Sequence, residues 1–329
     1  MSSQISTTTL LAETAHYRAT FEASAEPSRI TVIWFDHYRP EPSPLSEHKL
    51  QSGETLAWAT RSQMNGIHIQ ARRNDWFQAA DIHEILDAVR QTKQQGDTFI
   101  AYGGSMGGYA SIAYSRAVGA NAFVALAPQA SLSADYMRRI ADNRWPEYWH
   151  AFHNNSIERG HCADAPGLVF YDPLHELDRQ HAQTILTNTK ALAVECCATA
   201  HQPGEMINRT YKIVSAIRDL GQRISDNLPL EPLRDAIQSA ICSDFMYRYY
   251  MASDSERREL KSSISPAAFR DMIHFPALID DFRRQPSFCR AIVLSEFSTT
   301  GPERWETFAS LDANGYSELA ARVRPLLAG

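Results

Sequence analysis

The chain has 329 residues, 44% of them hydrophobic, enough to bury one large core or two modest ones. Its net charge is −6, from 38 acidic and 32 basic side chains that intermix along the chain, with no basic block or basic–aromatic interleaving to suit nucleic acid. No apolar run approaches the roughly 20 residues of a membrane helix, and the five cysteines, at 162, 196, 197, 242 and 289, show no CxxC spacing.

Taken in order, Met1–Leu10 carries neither a basic nor an apolar signal region, so no signal peptide is expected. Cys196 and Cys197 are adjacent in an apolar run and read as small fillers rather than a bridge. Reduced thiols and a cytoplasmic protein are therefore expected. Residues 10–25 alternate weakly and suggest one or two edge strands. Arg29–Phe35 is a β-branched run typical of a buried parallel strand, and Pro40, Pro42 and Pro44 place a loop after it. Gly66–Gln70 reads as the next strand, followed by a polar loop with Trp76 and Phe77. Ile82, Ile85, Leu86 and Val89 then fall at helical spacing, with Asp81 and Glu84 at the acidic start.

The centre of the chain is Tyr102-Gly103-Gly104-Ser105-Met106-Gly107-Gly108-Tyr109. An apolar strand, Thr98–Tyr102, runs into it, and a small-residue helix, Ala110–Val118, leaves it. Gly103-x-Ser105-x-Gly107 at a strand-to-helix turn is the context of a nucleophile elbow. A turn tight enough to expose the serine leaves no room for side chains two residues either side. No GxGxxG or GxxxxGK phosphate fingerprint is present. Ala122–Ala127 is a further buried strand, stopped by Pro128. Residues 131–165, with Tyr136, Trp145, Tyr148, Trp149 and His150, break the rhythm and read as a lid insertion or a peripheral excursion. Gly167–Tyr171 is a strand ending in Asp172; Asp178 stands before a helix at 179–186; Ala191–Cys197 is the last strand of the series; and His201 follows it. A helix carrying Ile207, Val214, Ile217 and Ile224 on one face comes next. This alternation predicts an α/β chain: a mostly parallel central sheet with helices on both faces.

From about residue 227 the pattern turns helical, with Ala291–Leu294 the one convincing strand. The expected organisation is a domain over 1–226, with 131–165 inserted, and a mainly helical accessory segment over 227–329 of unread role.

Tyr102–Ala110 resembles the elbow of serine α/β-hydrolases, in a variant similar to bacterial hydrolases often found near polysaccharide-biosynthesis genes. Asn74-Asp75-Trp76-Phe77 and Ala125-Leu126-Ala127-Pro128-Gln129 add to the resemblance, which spans about residues 28–222. It implies the α/β-hydrolase fold and a triad in the order serine, acid, histidine, with acid and histidine after the last two strands. Ser105 is then the nucleophile and His201 the base; His181, on the intervening helix, faces the wrong way. Asp172 is the favoured acid because it ends a strand; Asp178 is the rival, with an N-cap as its ordinary reading. The resemblance also implies an oxyanion hole from the backbone N–H of Met106 and a second N–H near Phe35 or Asp36. Gly104 and Asp36 are expected to line the site, and Trp76 either lines it or packs in the core.

The expected activity is cleavage of a carboxylic ester or thioester through an acyl-enzyme. The substrate class tilts toward an acylated carbohydrate or another small ester. Acyl transfer on the same triad and a non-catalytic binding module are the alternatives. No cofactor is expected. His150 and His153, three apart, with His161-Cys162 nearby, make a zinc group conceivable, but no acidic ligand or fixed motif supports it. No membrane or nucleic-acid partner is expected, and the oligomeric state is unread.

Overall fold

The β-branched run Ile30–Phe35 forms the strand its composition demands, β3, inside an eight-stranded sheet. The computed structural model describes residues 8–38, 54–173, 175–197, 199, 201–244, 247–248 and 251–263. The strands are β1 (Thr8–Glu13), β2 (Tyr17–Glu22), β3, β4 (Asn65–Ala71), β5 (Thr98–Gly104), β6 (Ala122–Leu126), β7 (Pro166–Tyr171) and β8 (Lys190–Glu195). The helices are α1 (Glu54–Thr60), α2 (Ile82–Gln91), α3 (Met106–Ala113), α4 (Ala134–Arg139), α5 (Glu176–Thr187), α6 (Pro203–Thr210), α7 (Ile213–Ser225), α8 (Glu231–Ser243) and α9 (Asp254–Ser262), with a 3₁₀ turn at Pro146–Ala151.

Across the sheet the order is β1-β2-β4-β3-β5-β6-β7-β8. β2 runs antiparallel to β1 and β4, and every pair from β4 to β8 is parallel. The two-residue period of the strands divides their side chains between two cores. Ile33, Ala101, Phe123 and Val169 join the core under α2, α3 and α5. Val32, Ile100, Val124 and Leu168 join the core under α6, α7 and α8. All of these side chains are buried. The strand order, with β2 reversed and helices on both faces, is the α/β-hydrolase fold.

One helix boundary differs from the sequence reading, and two segments show packing that the pattern did not give. The helix expected after Gly204 is two helices, broken at Lys212, whose φ of 71 turns the chain. Residues 131–165 are anchored in the first core: Leu132, Met137 and Ile157 have no exposed surface. Beyond residue 227, α8 packs on the sheet. Leu233, Ile237 and Ile241 recur every fourth residue along α8 and are buried in the second core. The Gln238 amide then pairs with the outer edge of β8, accepting from Glu195 N at 2.9 Å and donating to Glu195 O at 3.1 Å. An edge strand needs such cover. The strand expected at 291–294 lies outside the described residues.

Candidate active site

Parallel strands deliver their carboxyl ends to one edge of the sheet, and the loops there hold the reactive groups. β5 ends at Gly104 and α3 begins at Met106, so Ser105 alone makes the turn. Its φ is 51 and its ψ −116, a conformation a side-chain-bearing residue seldom adopts. The glycines explain how the turn closes. A Cβ on Gly107 would lie 2.3 Å from Phe35 O, and one on Gly103 would lie 2.3 Å from the backbone of Gly107. Ser105 N donates to Leu126 O at 2.8 Å, which ties the bend to β6.

Ser105 Oγ lies 2.9 Å from His201 Nε2. His201 comes from the loop after β8 and keeps 22% of its side-chain surface exposed. Its other nitrogen, Nδ1, lies 2.6 Å from Asp178 Oδ2. A carboxylate at Nδ1 fixes the tautomer: Nδ1 carries the hydrogen, and Nε2 has a lone pair for the serine proton. Gln129 gives Ser105 a second partner, since its Oε1 accepts from Ser105 Oγ at 3.4 Å. The serine proton can therefore point to the imidazole or to the amide. The arrangement can move that proton onto a histidine already oriented by a buried acid.

The acid is the rival of the sequence reading. Asp178 takes the position expected for Asp172. The helix explains why. α5 begins at Glu176, three residues earlier than expected, so Asp178 sits inside its first turn rather than before it. The N-cap is His175, whose Nδ1 accepts the Asp178 N–H at 3.0 Å. The Asp178 side chain is thus free of capping duty and turns to His201. Asp172 is buried at the end of β7, and its carbonyl accepts from His175 N at 3.1 Å. His181 is on α5 and buried, and its ring nitrogens meet Ala130 N and Asp142 Oδ2.

Asp178 is 1% exposed. Burial raises its carboxyl pKa, but its neighbours outweigh that and hold it well below the ordinary range, the Arg144 guanidinium being the permanent charge among them. Burial pushes His175 itself down to about 4, so it is neutral near pH 7 and can accept at Nδ1. The positive charge that matters at Asp178 is then that of Arg144, whose Nη1 lies 2.9 Å from Asp178 Oδ1.

The oxyanion-side expectations divide. Met106 is the first residue of α3, where an N–H has no intrahelical acceptor. The Phe35–Asp36 expectation fails at Asp36, whose N–H donates to Ile69 O at 3.1 Å and continues the ladder. Phe35 lies within β3, paired to Ile69, with its carbonyl against Gly107. The Asp36 side chain does not open on the site either: it is 1% exposed and takes His68 Nε2 at 2.8 Å. Trp76 is fully buried and reaches the site through its Nε1, which donates to Gln129 Oε1 at 3.2 Å. Gly104, half-buried beside Ser105, would meet only ordinary contacts as alanine. The Trp145 ring stands 6.0 Å from that of His201 and packs with Trp76 and Tyr38, and Tyr148 packs with both of these.

Sequence reasoning missed Arg144, Asp142 and the cap at His175, and left Gln129 without a role although it lies in the Ala125–Gln129 stretch. Among the described residues no three His, Cys, Asp or Glu side chains gather as a metal group. Cys162, Cys196, Cys197 and Cys242 are unbridged, and Cys289 lies outside the described residues. No described helix is long and apolar enough to cross a membrane.

No family model matches the chain, and no curated protein matches it. Similar solved structures include a hormone-sensitive lipase from a metagenome library, at 14% identity and a TM-score of 0.45, over 67% of this chain and 86% of that one. The capsule O-acetyltransferase of Neisseria meningitidis serogroup A is similar at 12% identity and a TM-score of 0.39, over 65% of this chain and 93% of that one. XC6422 from Xanthomonas campestris, an α/β serine hydrolase without lid, is similar at 15% identity and a TM-score of 0.35, over 66% of this chain and 88% of that one. The class follows from this chain's own strand order: it has the fold of the α/β-hydrolases, with a serine at the elbow.

Proposed function

We propose that the chain is a serine hydrolase that cleaves a carboxylic ester or thioester through an acyl-enzyme on Ser105. The observation that carries the reading is the run Ser105 Oγ, His201, Asp178, with contacts of 2.9 and 2.6 Å at a strained elbow. His201 Nε2 takes the Ser105 proton as Oγ attacks the carbonyl carbon. The tetrahedral oxyanion forms at the start of α3, beside the Met106 N–H. The C–O or C–S bond then breaks, and the leaving group takes the proton from His201. A water, deprotonated by His201, attacks the acyl carbon; the bond to Ser105 Oγ breaks, Oγ takes the proton back from His201, and the acid product leaves.

An acylated carbohydrate or another small ester is the proposed substrate class, supported by the resemblance of the elbow and by the aromatic wall of Trp145 beside His201. If an alcohol replaces the water, the same acyl-enzyme makes the protein a transferase; product analysis with and without a glycan acceptor separates the two. Four unbridged cysteines support a cytoplasmic placement. The test is Ser105→Ala. Wild type is expected to hydrolyse p-nitrophenyl acetate and to bind a fluorophosphonate probe covalently, and the variant to do neither while unfolding at the wild-type temperature. Full activity in the variant, or a wild type that neither turns over nor labels, overturns the reading; the latter result would leave a binding module.

A further inference from the structure

The insertion between β6 and β7 reaches beneath the site. Arg144 Nη1 meets Asp178 Oδ1, the oxygen that His201 leaves unused. The rest of the guanidinium grips Asp142: Nε lies 3.0 Å from both carboxylate oxygens, and Nη2 lies 2.7 Å from Oδ2. Asp142 Oδ2 is also 3.2 Å from His181 Nε2. His181 Nδ1 accepts the Ala130 N–H at 3.0 Å, so its hydrogen is on Nε2 and donates to Asp142. An unbroken line of hydrogen bonds thus runs from the backbone after β6 through His181, Asp142 and Arg144 to Asp178, His201 and Ser105.

We propose that Arg144 is a positioning residue for the reaction at Ser105, and that Asp142 and His181 hold it in place. The inference rests on the acyl-enzyme reading above. Two carboxylates, 0% and 1% exposed, share one guanidinium. The guanidinium between them is 23% exposed, and ion pairs on buried carboxylates are a poor way to stabilise a fold, because well-packed apolar groups of the same volume often do as well or better. What the cluster does at the site is specific. It fixes the Asp178 carboxylate so that one oxygen faces His201 Nδ1. It also settles the charge. A lone guanidinium would neutralise Asp178 and weaken its support for the imidazolium formed in turnover. Asp142 takes up most of the Arg144 fork and leaves the Asp178 charge for His201. Burial raises the Asp142 carboxyl, but His181 and Arg144 hold it below the ordinary range, so the offsetting charge is present. The same segment places Trp145, at φ 55, over the guanidinium at 4.9 Å, and this locks the fork from above.

The experiment compares Arg144→Ala and Arg144→Lys with wild type by p-nitrophenyl acetate kinetics, fluorophosphonate labelling and the His201 Nδ1 proton resonance. In Arg144→Ala, kcat and labelling are expected to fall roughly a hundredfold, the loss that misplacing a catalytic group brings, with KM unchanged. Added guanidinium, below denaturing concentration, restores part of that rate and does nothing for wild type. Arg144→Lys falls between, since it keeps the charge and loses the fork. The Nδ1 resonance, far downfield in wild type, moves or disappears in Arg144→Ala. Wild-type kcat and an unmoved resonance in folded Arg144→Ala overturn the inference. Should Arg144→Ala not fold, wild-type kcat and resonance in Arg144→Lys overturn it equally. Failure of wild type to label sinks the acyl-enzyme reading instead, and the resonance still decides whether Arg144 positions Asp178.

Discussion

Asp178→Asn separates the acid found in the structure from the one expected at the strand end. Asparagine matches aspartate in shape, so the fold and the position of α5 are retained. The amide, however, sits between two donors, Arg144 Nη1 at 2.9 Å and His201 Nδ1 at 2.6 Å. Arg144 cannot give up its hydrogen, so the amide oxygen must face it and the NH₂ must face His201. Nδ1 then has to accept, which puts the hydrogen on Nε2, pointing at Ser105. In that tautomer the ring cannot take the serine proton. Loss of the acid from a Ser-His-Asp triad through the wrong tautomer costs on the order of 10⁴ in kcat, roughly 5 kcal/mol of barrier. The assay is p-nitrophenyl acetate turnover with a fluorophosphonate labelling rate, beside Asp172→Asn as the control. Asp172→Asn is expected to keep most of its activity, because the His201–Asp178 contact survives. Near wild-type turnover in Asp178→Asn, or an equal loss in Asp172→Asn, would refute the assignment.

His175 supplies a pH prediction. Its value in the fold, about 4, lies below the ordinary 6.5, so the unfolded chain binds more protons between those values and stability falls as pH drops through that window. Between pH 7 and pH 5 the loss is roughly 2 kcal/mol. His175→Asn, which keeps a capping acceptor, should remove that part of the slope in urea unfolding at the two pH values; an unchanged slope counts against it. The elbow gives a paired test. Gly107→Ala, with its Cβ at 2.3 Å from Phe35 O, is expected to lose roughly 3 kcal/mol or more. Gly104→Ala, whose nearest contacts are 3.8 Å away, should lose little. Equal midpoints for the two in urea unfolding would show that close approach does not set this turn.

What the sequence made legible was whatever a repeat could carry. The β-branched runs became strands, and Ile82, Ile85, Leu86 and Val89 are the buried face of α2. The elbow glycines announced a close approach that the structure shows at Gly103 and Gly107. The failures lie where one residue's placement decides the outcome. α5 starts at a histidine cap, a weaker signal than the Asp178 that follows, so Asp178 read as the cap. One further ladder bond, Asp36 N to Ile69 O, removes Asp36 from the oxyanion side, and strand ends are not resolved by pattern. Arg144 and Asp142 sit in a segment without period, and their partner lies 34 residues from Arg144. Nothing local in the chain points to that meeting.

The division of labour in the site follows from these contacts. Ser105 comes from the end of β5, which the sheet fixes, and His201 from the loop after β8. Asp178 comes from the first turn of a helix, where unpaired N–H groups already favour a negative charge. A carboxylate there is easily kept ionised and less easily aimed, because the helix offers it its own N–H groups as partners. Two side chains remove that competition. His175 takes the Asp178 N–H, and Arg144 takes the oxygen not used by His201. One of those side chains caps α5 and the other belongs to the insertion. The orientation of the acid therefore depends on how the insertion is seated, and changes that shift residues 142–145 should lower activity before they disturb the sheet.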